Sequence, residues 1–222
     1  MTEPLTEESR PRRAILIDLD GVVRIWPGSP WLEPGTEKDS VDHLLRSIAF
    51  GPDLLHQVIT GRIDDPAWRV EIERRLLVDR PDHAADAVAA WSASLPVIDA
   101  RVRDLILGWR RIVPVVAVTN ATSRLSADQE ALGISGLFDV TINSSEVGHA
   151  KPAARIFRVA LERVGVEPDG AIFIDDSAAN VQAAIDLGLT GHHYTGSLDE
   201  LARVVRDWLA RDPVAVSKHG KP

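Results

Sequence analysis

Residues 14–20, AILIDLD, are an unbroken apolar run closed by two acids, which suits a strand buried on both faces. The next such run is VVAV at 115–118. Between them, residues 41–50, 65–78, 83–94 and 99–111 carry apolar positions at helical spacing, broken by Pro, Gly and Asp, and they read as a helical insertion. From residue 115 onward strand and helix patterns alternate. Helices are expected near 124–132 and over 152–164, 178–187 and 198–209, and strands at 139–142, 171–174 and 191–194. Such alternation with short connections predicts right-handed crossovers and a parallel sheet covered on both faces, so polar groups that follow the strands gather along one edge. The fold class expected is therefore α/β. The polar leader MTEPLTEESRPRR and the tail DPVAVSKHGKP are expected to be disordered.

Composition narrows the chemistry. A chain of 222 residues with 45% hydrophobic content can bury one large core or a core with a smaller inserted domain. The formal charge of −8 and the lack of a dense Lys/Arg stripe speak against gripping a nucleic-acid backbone, leaving small-molecule chemistry as the default. With no cysteine, neither disulfides nor thiolate zinc sites are available. The first residues do not resemble a secretory signal and no apolar run is long enough to span a bilayer, so a cytoplasmic protein with no membrane partner is expected.

Four polar clusters follow predicted strands. Asp18 and Asp20 lie two apart at the end of the first, a spacing that aims both carboxylates to one side, where like charges need a cation or proton between them. A simple Asp-Gly turn is the bland alternative. Thr119 and Asn120 follow VVAV with donors suited to phosphate oxygens, although either Asn120 or Ser123 could serve only to start the next helix. Lys151 precedes Pro152 after the polar loop NSSEVGHA; it is either a solvated side chain at a helix start or a cation that offsets Asp18 and a bound phosphate. Asp175 and Asp176 end AIFI, where hard oxygen ligands suit magnesium and a helix N-terminus also favours acids. It is the shared position of all four, each directly after a strand, that points to one phosphate-handling site.

DLDGVV, VTN, the Lys-Pro pair and FIDDSAANVQAA resemble the four signature motifs of the haloacid-dehalogenase superfamily, over a span from Ala14 to about Tyr194. INSSEVGHAKPAARIFRVAL with FIDDSAANVQAAIDLGLTG is particularly similar to the branch that includes the phosphatase-like N-terminal domain of epoxide hydrolases. The resemblance implies a Rossmann-like sheet, with residues 1–23 and 98–222 as its core and 24–97 as a helical cap inserted after the first motif. It implies a magnesium-dependent phosphatase acting on a small phosphomonoester, with Asp18 as the nucleophile that forms an aspartyl-phosphate and Asp20 as general acid and then base. Asp18 and the Asp20 carbonyl would bind magnesium with Asp176 and, directly or through water, Asp175. Thr119 and the Asn120 backbone would hold phosphate oxygens, and Lys151 would position nucleophile and phosphate. Dehalogenases of the superfamily attack carbon and typically lack an acid two residues after the nucleophile, so Asp20 and the 175–176 pair favour phosphate chemistry.

A phosphomutase of the same fold and a non-catalytic phosphate-binding or regulatory domain remain as alternatives. Receiver domains also use acids, Thr and Lys on a parallel sheet, but they place paired acids on the first strand and the accepting Asp later, and they lack the helical insertion. Trp26 and Trp31, in the Pro- and Gly-rich linker RIWPGSPWLEPG, could line a pocket or pack linker onto core. Arg62 could reach a substrate anion from the cap or form a surface ion pair. The tryptophans at 68, 91, 109 and 208 fit core positions, and His149, His192 and His193 fit structural roles. A small phosphorylated metabolite is the expected partner, and an exposed apolar cap face could support a homodimer.

Overall fold

A computed structural model describes residues 13–26 and 40–211. The leader, the tail and the linker that carries Trp31 lie outside the described residues.

The central sheet has five parallel strands in the order β5-β4-β1-β6-β7. They are β1 (Ala14–Ile17), β4 (Val115–Thr119), β5 (Val140–Asn143), β6 (Ala171–Asp175) and β7 (Thr190–His193). Every residue of β1, β4 and β6 is buried, which is why these strands are continuous apolar runs. Strand alternation sorts them between two cores: Ile15 and Ile17 face one helical layer, Ala14 and Leu16 the other. On the first side they meet Val102, Ile106 and Trp109 of α5 (Ala100–Trp109) and Leu201, Val205 and Trp208 of α10 (Leu198–Leu209). On the second they meet Ile156, Phe157 and Ala160 of α8 (Ala154–Val164) and Ala184 of α9 (Ala178–Asp186). Succession runs outward from β1 to β5 on one side and through β6 to β7 on the other, so β1 stands at the switch point where open α/β sheets form their ligand crevice.

The chain leaves this body through β2 (Arg24–Ile25) and returns through β3 (Val97–Ile98), an antiparallel two-stranded ribbon. Between them stand α1 (Val41–Ala49), α2 (Pro52–Ile59), α3 (Asp65–Asp79) and α4 (Ala84–Ala93), which bury their own core of Leu45, Leu54, Val58, Trp68, Ile72 and Leu76. Phe50, Trp68 and Trp91 pack edge to face in it, with centroids 5.1–6.3 Å apart.

Three expectations change. The helix α2 had no counterpart, because Gly51-Pro52 read as a break, whereas Pro52 occupies the first turn, where its missing N–H costs nothing. The stretch over 99–111, grouped by its spacing with the insertion but placed by the resemblance within the 98–222 core, packs as α5 on the sheet against α10, started by Asp99, whose side chain accepts from the Arg101 and Val102 amides. The loop NSSEVGHA holds a short helix, α7 (Ser144–Val147), capped by Asn143. The expected helix over 124–132 is α6 (Leu125–Ala131).

Candidate active site

At the carboxyl edge of β1, β4 and β6, Lys151 is the centre of charge. Its Nζ lies 2.7 Å from Asp18 Oδ1 and 2.7 Å from Asp175 Oδ2, and its side chain is 1% exposed. The lysine is held from behind by a two-way clamp: its amide donates to Asn120 Oδ1 (2.7 Å) and its carbonyl accepts from Asn120 Nδ2 (2.9 Å). The Asn120 side chain is thus used to fix the lysine. The Lys151-Pro152 peptide is cis.

Asp18 Oδ1 also accepts from the Leu19 amide at 2.7 Å. Asp175, wholly buried, accepts from the Ser177 amide (2.7 Å) and from Asn180 Nδ2 at both oxygens (3.2 and 3.1 Å). Asp176 stands beside Gly21, whose φ of +79° and proximity leave no room for a side chain: a Cβ there would sit 2.0 Å from Asp176 Oδ2. The Asp176 carbonyl accepts from or approaches His193 Nε2 at 2.9 Å. Carboxylate oxygens of Asp18, Asp175 and Asp176 all lie within 4.8 Å of one another.

Three carboxylates against one ammonium is a deficit of positive charge. Burial pushes the Asp18 carboxyl up to about 7, with Asp175 and Asp20 raising it further and Lys151 pulling it down. Burial, with Asp175 beside it, raises Asp176 as well. A divalent cation would relieve both. The donor set fits one: hard oxygens, closely spaced, with a glycine cradle against one of them. Next to this cluster Thr119 Oγ1 is buried with no hydrogen-bond partner, a hydroxyl that a phosphate oxygen would satisfy.

Asp20 lies near enough to raise the Asp18 and Asp176 carboxyls, but its own carboxylate is not among the three that converge. Strand geometry ends at Ile17, so the two-apart rule no longer aims Asp18 and Asp20 together. The Asp20 carboxylate turns toward the ribbon instead, where Oδ1 accepts from Arg24 Nε (2.8 Å) and Trp26 Nε1 (2.7 Å) and Oδ2 from Arg24 Nη2 (2.7 Å). Arg24, 4% exposed, needs this counter-charge.

A model of the haloacid dehalogenase-like hydrolases matches residues 12–188. The chain belongs to this family. It is 28% identical over 136 residues to bifunctional epoxide hydrolase 2 of Mus musculus, a match that takes in 60% of this chain but only 24% of that protein. To the phosphoglycolate phosphatase of Chromobacterium violaceum it is 27% identical over 193 residues, 78% of this chain and 80% of the relative. Among solved structures, a HAD family enzyme from Bacteroides thetaiotaomicron, in complex with magnesium and inorganic phosphate, superposes with a TM-score of 0.62 at 23% identity, covering 83% of this chain and 96% of that one. That likeness is one of fold.

Several residues that matter here carried no role in the sequence reading. Asn180 falls within FIDDSAANVQAA, just over one helical turn beyond Asp175, the acid it holds, and that spacing was a usable signal. Ser123 neither caps nor starts α6; its Oγ accepts from the Asp65 amide at 2.9 Å and so ties cap to body. Thr122 Oγ1 donates to Asp65 Oδ1 at 2.9 Å, and Arg124 Nη1 to the Ser92 carbonyl at 2.6 Å. Arg62 is exposed on the turn after α2 and does not line the cavity between cap and body; Arg24, Arg46, Arg69 and Arg124 do. Trp26, Trp68 and Trp91 line it too, whereas Trp109 and Trp208 are core residues. His149 is exposed. Among the described residues no helix is long and apolar enough to cross a membrane.

Proposed function

We propose that the chain is a magnesium-dependent phosphatase that cleaves a small phosphomonoester through an aspartyl-phosphate on Asp18. The observation that carries this reading is the convergence of the Asp18, Asp175 and Asp176 carboxylates, the first two paired with one buried lysine, beside the orphaned Thr119 hydroxyl. Asp18, Asp175, Asp176 and the Asp20 carbonyl would hold the magnesium ion, which supplies charge stabilisation for the phosphoryl oxygens when bound.

This chain's own groups supply the rest. Asp18, pinned at Oδ1 by Lys151 and the Leu19 amide, keeps one carboxylate orientation; one of its oxygens bonds to phosphorus as the bond to the ester oxygen breaks. Asp20 gives its proton to the departing alkoxide, and so must first leave its grip on Arg24 and Trp26. In the second half, Asp20 takes a proton from water as that water attacks phosphorus, and the Asp18 carboxylate and inorganic phosphate separate. Thr119 and the Asn120 backbone N–H orient phosphate oxygens, and Lys151 offsets charge as it builds. The cap, latched through Asp65, Ser92, Thr122, Ser123 and Arg124, excludes bulk water from these steps.

The test is phosphate release from 4-nitrophenyl phosphate with and without magnesium, with Asp18→Asn as control. Turnover is expected only with the metal and only in the wild type. An active and folded Asp18→Asn protein would refute the nucleophile assignment.

A further inference from the structure

The proposed phosphatase reading leaves the alcohol portion of the ester undefined, and the cavity beside Asp20 and Asn120 bears on it. It has a volume of about 310 Å³ and lies between the cap and the body. Much of its polar wall is engaged within the protein. Arg24 grips Asp20, Arg69 Nε lies 2.5 Å from Asp65 Oδ2, and Arg124 Nε 2.7 Å from Asp128 Oδ1. Thr122 donates to Asp65, the Asn120 amide is taken by the Lys151 backbone, and Arg46 pairs with Asp42. Two N–H groups of lining residues lack a hydrogen-bond partner, Arg24 Nη1 and Trp68 Nε1, and both are buried beneath the lining rather than presented to the cavity. Most of the surface facing the cavity is apolar, from Leu55, Ile59, Trp68 and Trp91 of the cap and Leu125 of the body.

We infer that this cavity receives the leaving group and that the preferred substrates are phosphate esters of apolar alcohols, with an aromatic ring or hydrocarbon chain, rather than of sugars or polyols. The inference rests on the phosphatase reading. A polyol entering this space would meet arginines and carboxylates already paired with one another and would recover only part of the hydrogen bonding it has in water. A ring or chain loses nothing polar and removes apolar surface from water on both sides. The three cap aromatics already meet edge to face, so a ring entering beside them joins an existing packing pattern.

The test compares kcat/KM of the full chain, at saturating magnesium, for 2-phenylethyl phosphate and glycerol 3-phosphate, both esters of primary alcohols. Acetyl phosphate, whose leaving group is too small to use the cavity, reports phosphoryl chemistry alone. The expected result is a preference of at least about tenfold for 2-phenylethyl phosphate over glycerol 3-phosphate. Ile59→Asn, and separately Leu55→Gln, should raise KM for 2-phenylethyl phosphate several-fold with little change in kcat, and leave acetyl phosphate turnover intact, which also shows that each variant is folded. Equal rates for the two esters, a preference for the polyol, or a KM that neither variant moves would overturn the inference while leaving the phosphatase reading standing. Failure to turn over any of the three, acetyl phosphate included, would overturn both.

Discussion

Two walls of the same crevice handle charge in opposite ways. At the sheet edge, one lysine faces three carboxylates, and nothing else among the described residues completes the balance. A few residues away, on the cavity wall, Arg69 and Arg124 each have a carboxylate of their own. A self-satisfied pair in a half-buried position is structural and adds little net stability. An unpaired excess of carboxylate, two of the three groups buried, is different: it costs folding energy that a cation or proton from outside the chain relieves. The contrast separates the part of the crevice that does chemistry from the part that selects shape.

The largest expected effect follows from removing the single cation of the first wall. Lys151→Met should lower kcat by about 10²- to 10³-fold, the scale of losing one preorganised charge in such a site. Retained turnover would break the contrast, because the lysine would then be one more structural ion pair.

Gly21→Ala strikes the same wall from the metal side. The added methyl meets Asp176 Oδ2, and the positive φ adds strain of about 1–2 kcal/mol. Magnesium affinity by calorimetric titration should fall about 10- to 100-fold, with a lower Tm; unchanged affinity would remove Asp176 from the ligand set.

Breaking a link of the second wall should do less. Thr122→Val deletes one hydrogen bond to Asp65, for about 1 kcal/mol in denaturant unfolding, and should change kcat by less than tenfold. A larger drop in kcat would mean that the latch does more than hold the cap down.

The smallest effect lies outside the crevice. Burial opposes the charge on Asp139, but Arg110 and the Val115 amide outweigh it and hold its carboxyl below the usual range. A depressed carboxyl stabilises the fold above its unfolded pKa and loses that contribution as pH falls through the folded one. Asp139→Asn should therefore cost about 1 kcal/mol or less at pH 7, and the gap from wild type should close as pH drops below about 4.

The catalytic wall was largely legible in the sequence and the cavity wall was not, for physical reasons. Asp18, Thr119 and the 175–176 acids are readable because each ends or follows an apolar run, and parallel strands deliver such positions to one edge; Lys151, beyond the polar loop NSSEVGHA, is readable through the Lys-Pro motif of the family resemblance. Asp20 escaped the same logic because the chain has left strand geometry by then, and a buried arginine four residues on decides where its carboxylate points. The cavity draws on Trp68, Trp91 and Arg69, spaced along α3 and α4 as core residues would be. Helical periodicity tells which face is apolar, but not whether that face meets another helix or an open space. The helix α2 was hidden by a proline that punctuates in one context and initiates in another.

Trapping the intermediate addresses the central claim most directly. The protein would be mixed with magnesium and 2-phenylethyl phosphate or acetyl phosphate, quenched in acid and reduced with borohydride, which converts an aspartyl-phosphate to homoserine, then mapped by peptide mass spectrometry. The account predicts homoserine at position 18, dependent on both metal and substrate. Turnover with Asp18 unmodified under these conditions, or modification at another acid such as Asp20 or Asp175, would contradict it.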